Sequence, residues 1–193
     1  KYPEISNLEL LHATYRDHVF SPHFHEGHVI GVIEKGALGF DYRGQQVTAA
    51  AGVITIADPG EVHNGFSLSE GGWQYRMFYL QPGSLDRMSK EMNGKKTAMP
   101  FFRKGVIKDR HFAERIGRLH RDFEDPHVTL LEKESRFRIL LSQFILKHAG
   151  PLISPVKPGS EPGLVRCVKE CIQARYDEQI SLQDLSVQAG VSK

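Results

Sequence analysis

Between residues 8 and 80, apolar and polar positions alternate over short runs, and glycines punctuate them. Residues 8–15, 28–33, 37–42, 45–49, 53–57 and 73–80 each carry the two-residue period of a strand. Gly36, Gly44 and Gly52 recur every eight residues, each ending such a run. Regular short strands with glycine turns and no helical period between them predict a β-sandwich or barrel. Closure is favoured over an open meander, because open sheets leave unpaired edges. From about residue 109 the period becomes helical. Asp109 is placed to cap a helix whose stripe is Phe112, Ile116, Leu119 and Phe123, and Asp125-Pro126 ends it. A second helix is predicted over 128–148, with Leu130, Phe137, Leu141 and Phe144 on one face and Leu140 and Ile145 beside it. Gly150-Pro151 closes it. The short turn makes these helices an antiparallel hairpin, and their apolar surplus serves either packing on the barrel or dimerisation.

Residues 150–163 hold four of the ten prolines and three glycines, the composition of an extended linker. A helix is expected over 162–177, with Val165, Val168, Ile172 and Tyr176 facing inward. Ser181 then caps a short helix with Asp184 at its third position, a variant of the capping box. Leu182, Leu185 and Ala189 share one face of it. Gly190 supplies a turn and Ser192 a second cap, the outline of a helix-turn-helix that stops before its reading helix. The expected organisation is a barrel over 1–100, a helical hairpin over 101–150, a linker over 151–161 and the start of a second domain over 162–193.

Composition narrows this picture little. Forty per cent apolar and 25% charged residues describe an ordinary soluble globular chain, and a net charge of +2 argues for no polyanionic partner. No apolar run approaches the ~18 residues of a membrane span, and no leader precedes Lys1, so a cytoplasmic protein without membrane attachment is expected. Cys167 and Cys171 are expected to be reduced packing thiols.

Candidate chemistry centres on histidine. His23 and His25 are two apart, so on a strand both imidazoles point the same way, and Pro59-Gly-Glu-Val-His63 brings a third from a later turn. Inside a barrel the three form either a divalent metal site, for zinc, nickel or iron, or a set of hydrogen-bonding partners for an organic ligand. Trp73 and Tyr75 share one face of the last strand and Gln74 and Arg76 the other. The candidate effector pocket is His23, His25, Tyr42, His63, Trp73 and Arg76, with Arg16 and Arg43 as weaker members. For Trp73 the alternative is a cap on the hydrophobic core. No motif supports hydride, phosphoryl or acyl transfer.

Four segments, His23-Phe-His-Glu26, Ile30-Gly-Val-Ile-Glu-Lys-Gly36, Pro59-Gly-Glu-Val-His63 and Gly72-Trp-Gln-Tyr-Arg76, resemble the sensor of AraC-type transcriptional regulators. The tail Ile180-Ser-Leu-Gln-Asp-Leu-Ser-Val-Gln-Ala-Gly-Val-Ser192 is similar to the first helix-turn-helix of that family, where Ser181, Leu185, Gly190 and Ser192 mark the DNA-binding motif. The resemblance implies an α+β fold: a cupin-like β-barrel (jelly roll), an antiparallel helical hairpin, a Pro/Gly linker and a truncated helix-turn-helix. It implies a homodimer that binds a small-molecule effector and promoter DNA and catalyses nothing. Where metal-binding cupins place a glutamate shortly after the second histidine, this chain has Val29 or Ile30. A metal-dependent cupin enzyme, an oxygenase or isomerase, is the competing reading.

Overall fold

The computed structural model describes residues 1–93, 99–150 and 163–190. The chain divides into two units, Lys1–Ile153 and Ser154–Lys193. The first begins with β1 (Glu9–Tyr15), β2 (Phe20–His23), β3 (Val29–Tyr42), β4 (Gln45–Ala50), β5 (Ile54–Ala57), β6 (His63–Ser67) and β7 (Trp73–Tyr79). It continues with α1 (Ser84–Asn93), β8 (Val106–Ile107), α2 (Arg110–Glu124) and α3 (Leu130–His148).

The strand β3 organises the sheets. The sequence predicts two strands separated at Gly36, but the backbone runs through as one strand of 14 residues. Gly36 has φ +68, and the pairing register with β7 shifts between Ile33 and Lys35. A left-handed residue inside a strand makes a bulge that bends it, and here it turns β3 from one sheet into the other. Before the bend β3 lies between β7 and β5, giving the order β1-β7-β3-β5-β8; after it, β3 pairs with β4 and β6, and β6 pairs with β2. All these pairings are antiparallel. The result is the expected cupin-like arrangement of two sheets facing one another.

Alternation along β7 divides the unit into two cores. Trp73 and Tyr75 pack between the sheets with Val29, Ile33, Phe40 and Tyr42. Phe78 and Leu80 face the other way, onto a larger core of Phe112, Ile116, Leu119 and Phe123 from α2 and Phe137, Leu140, Leu141, Phe144 and Ile145 from α3. Burying each such side chain contributes about 1.5–3 kcal/mol relative to leaving it exposed, so the hairpin is held to the sheet chiefly by this layer. Asp109 caps α2 by accepting from the Phe112 amide, and Thr129 with Glu132 forms a capping box on α3. Leu130 departs from the predicted stripe: it sits in the first turn of α3 and is largely exposed.

Within the second unit, α4 (Gly163–Ala174) is followed by α5 (Leu182–Ala189). Ser181 and Asp184 make the reciprocal capping box, and Gly190 ends α5 in the left-handed conformation with φ 65. Leu185 and Ala189 are half-buried and Leu182 is exposed; Ile172 and Tyr176, expected to face inward, are exposed as well. Tyr176 lies beyond the end of α4 and Leu182 in the first turn of α5, where a short pair of helices covers little. Cys167 and Cys171 are free and half-buried. The linker residues 151–162, the side chain of Val165, and Ser192 lie outside the described residues. No helix among the described residues is long and apolar enough to cross a membrane.

Candidate functional site

The site is built by strand pairing at one end of the two-sheet interior. His23 on β2 and His63 on β6 stand directly opposite one another in the register. Directly opposed residues have Cβ atoms ~4.5–5.5 Å apart, so the pairing alone brings the two imidazoles together. His25 lies just past the end of β2, where its carbonyl accepts from the Gly60 amide at 2.9 Å. That bond ties the loop carrying His25 to the turn that leads into His63. The ring centroids are 4.5 Å apart for His23 and His63, and 5.1 Å for His25 with either partner.

Hydrogen bonds settle which nitrogens face inward. Nδ1 of His23 lies 2.8 Å from the Ser21 carbonyl and Nδ1 of His63 lies 2.9 Å from the Glu61 carbonyl. A carbonyl has no proton to give, so in both rings Nδ1 donates and the neutral ring keeps its lone pair on Nε2. Burial, with the neighbouring His63 and His23, pushes the His25 pKa down to about 4. His63 is also lowered, again mainly by burial, with its bond to the Glu61 carbonyl opposing the shift. His25 is therefore a neutral imidazole at neutral pH. One ligand atom from each of the three residues lies within 4.8 Å of the other two. This donor set fits a zinc-class divalent ion, which accepts neutral imidazole nitrogens and keeps a further position open.

Behind the histidines lies a cavity of about 90 Å³. Val29, Leu38 and Phe40 form apolar walls, and Tyr75, Met77 and Tyr79 of β7 form one side. Tyr79 sits 5.3 Å from the His25 ring, centroid to centroid. The Tyr75 pKa is raised strongly, first by burial and then by its Tyr79 and Tyr15 neighbours; that of Tyr79 is raised for the same leading reason. Both hydroxyls stay protonated as hydrogen-bond donors. Among the described residues, no Asp, Glu, Lys or Arg lines the cavity.

Of the six pocket residues expected from sequence, only His23, His25 and His63 line this cavity. Tyr42 belongs to the inter-sheet core, where its hydroxyl accepts from the Asp58 amide at 3.3 Å. Trp73 is fully buried against Tyr15 and Phe20, as a core cap. Arg76 has the opposite parity to Tyr75 and points toward α2. There it donates to Glu34 at 2.9 Å and to both Glu124 oxygens at 2.7 and 2.8 Å, with His120 Nδ1 at 3.1 Å. Arg43 is bound to Asp58 at 2.7 Å and Glu61 at 3.0 Å, pinning the turn before His63, while Arg16 is exposed. Tyr79, Met77 and Asn64 line the cavity without having been expected there. For the first two the signal was present, because positions 73, 75, 77 and 79 share one face.

The model of the AraC-like ligand binding domain matches residues 6–179. An uncharacterized HTH-type transcriptional regulator, YbfI of Bacillus subtilis (strain 168), is 28% identical over 176 residues. The match covers 90% of this chain and 62% of that protein, so the chain spans about three fifths of the relative's length. Among solved structures, ToxT from Vibrio cholerae has a TM-score of 0.56 at 8% identity, covering 97% of this chain and 72% of that one. ToxT from Vibrio cholerae O395 bound to (E)-4-(8-methylnaphthalen-1-yl)but-3-enoic acid has a TM-score of 0.55 at 7% identity, covering 97% and 72%. Wild-type ToxT from strain SCE256 with bound unsaturated fatty acid has a TM-score of 0.52 at 10% identity, covering 96% and 69%. At such identities the likeness is one of fold. The match over residues 6–179 takes in both sheets and the helices packed on them, and the chain belongs to the AraC-like ligand-binding domain family.

Proposed function

We propose that this chain is the sensing part of a ligand-responsive, AraC-type transcriptional regulator, with a small-molecule effector bound in the cavity beside His23, His25 and His63. The observation that carries the reading is the pocket itself. It combines apolar walls with convergent imidazole and hydroxyl groups, the pattern of a small-molecule site. In this reading 1–100 is the sensor, 101–150 the dimerisation hairpin, 151–161 the linker and 162–193 the beginning of the promoter-reading domain, in a cytoplasmic protein. Ser181, Leu185 and Gly190 belong to its first helix-turn-helix, and the capped α5 with its left-handed glycine supports that assignment.

The homodimer forms through α3. Its outer face carries Leu131, Ile139 and Leu146, all largely exposed, with Ser135 and Ser142 between them. The spacing of four, four, three and four is that of a helix seam able to pack on a second copy. Effector binding shifts the balance between two arrangements of the dimer by its differential affinity alone. A coupling of ~1–3 kcal/mol changes promoter occupancy roughly five- to 150-fold.

Thermal-shift screening of sugars, amino acids, aromatic and aliphatic acids and divalent metals is the test. A hit that raises the melting temperature of the wild type, but not of His25→Ala or His63→Ala, supports the reading. Hits unaffected by both substitutions overturn it. The convergence of three imidazoles also favours a second reading, a metal-dependent cupin enzyme. Turnover of a bound hit by the metal-loaded protein would establish that one.

A further inference from the structure

We propose that His23, His25 and His63 hold a divalent transition metal, and that this metal is the anchor for a small carboxylate effector in the adjoining cavity. The proposal rests on the reading of the cavity as the effector site and names the chemistry of its occupant.

Geometry carries the first half. Two of the three rings present Nε2 lone pairs because their Nδ1 protons are committed to the Ser21 and Glu61 carbonyls. A backbone carbonyl on the far nitrogen is the usual outer support of a metal-bound imidazole, fixing both tautomer and ring orientation. The supports are rigid: His23 and His63 are paired across two strands, and the Gly60 amide holds the His25 carbonyl. In a tetrahedral zinc site with Zn–N of ~2.0–2.1 Å the nitrogens stand roughly 3.3 Å apart. One ligand atom from each of the three residues lies within 4.8 Å of the other two.

Charge carries the second half. Three neutral imidazoles leave a bound dication uncompensated, and among the described residues no acidic one lines the cavity to balance it. A dication in a half-buried, largely apolar site favours an anion in its open position. Equally, no Lys or Arg among the described residues lines the cavity, so without the metal a carboxylate there would have no cationic partner among them. The metal and the anion thus solve each other's desolvation, in a cavity that Tyr75 and Tyr79 also line. A cavity of about 90 Å³ holds several water-sized groups, which limits the acid to a short chain or a small ring.

The experiment has two arms on the purified chain. In the first, chelator-stripped protein is titrated with zinc chloride by calorimetry and equilibrium dialysis, beside His25→Ala, His63→Ala and the milder His63→Gln. One zinc per chain, weakened at least 100-fold in each variant, is expected. Equal binding in wild type and variants that keep the wild-type circular dichroism overturns the metal. In the second, acetate, propionate and benzoate are added to zinc-loaded and metal-free protein and melting is followed. A rise confined to the zinc-loaded form is expected. A rise of equal size without zinc, or none with it, overturns the carboxylate assignment. A neutral compound that protects the metal-free protein through His25 would overturn this proposal and leave the effector-cavity reading standing.

Discussion

Replacing Arg76 with methionine separates support of the fold from ligand binding. Arg76 is 7% exposed and reaches Glu34 on β3 and Glu124 on α2 with three donated bonds. Removing one partner of a buried ion pair typically costs ~3–5 kcal/mol, because the other is left buried and charged. Here two features reduce the cost. Glu34 keeps Arg121 at 2.9 Å and His12 at 3.4 Å, and the Glu124 side chain is 46% exposed and free to turn to water. Methionine also fills much of the volume. A loss of about 2–3 kcal/mol is expected, a drop in melting temperature of roughly 5–10 °C for a domain of this size. Urea denaturation of wild type, Arg76→Met, Glu124→Gln and the double variant gives the coupling, expected at about 1 kcal/mol given the exposure of Glu124. Zinc or effector affinity should stay within twofold, since Arg76 faces away from the cavity. An Arg76→Met protein as stable as wild type would refute the reasoning. So would a folded variant that no longer binds ligand.

At Gly31 an added Cβ would meet Met77 Sδ at 2.1 Å and the Arg76 carbonyl at 2.3 Å, so Gly31→Ala should cost about 1–3 kcal/mol or more in urea denaturation and deform the cavity wall. His120 is 1% exposed, and burial, then Arg76, push its pKa down from 6.5 to about 4, with Glu124 opposing the shift and His12 adding to it. The unfolded chain therefore binds the extra proton between those values, so stability falls as pH drops from 6.5 toward 4. The slope is up to ~1.4 kcal/mol per pH unit for this group. His120→Gln should flatten that part of the stability–pH curve relative to wild type, the remaining slope coming from groups such as His25. Replacing Leu131, Ile139 and Leu146 together by glutamine should convert a dimer into a monomer in sedimentation at tens of micromolar without lowering the melting temperature of the barrel. An unchanged sedimentation coefficient would remove α3 as the interface.

The parts of the fold that were legible in the sequence are those where one face is buried along a whole element. The stripe of Phe112, Ile116, Leu119 and Phe123, the capping serine at 181 and the left-handed Gly190 were readable because periodicity and cap chemistry are local. Gly36 was read as a turn because a glycine between two apolar runs looks the same whether the chain reverses or bulges. Strand β6, His-Asn-Gly-Phe-Ser, has no apolar alternation of its own and exists through its pairing with β2 and β3. The histidine cluster could be named from spacing, but its walls depended on register. The assignment of Arg76 to the pocket went against the parity of its own strand. Exposure of Leu130 and Leu182 shows the complementary limit: a stripe reveals which face is apolar, not whether anything covers its first turn.

The most direct test of the whole account is a crystal structure of the chain with a hit from the thermal-shift screen. The account requires the compound between the two sheets, with its polar end within coordination or hydrogen-bonding distance of His23, His25 and His63. Density for it elsewhere, such as the cationic groove beside Arg103, Lys104 and Lys108, with the space behind the histidines unchanged, would contradict it.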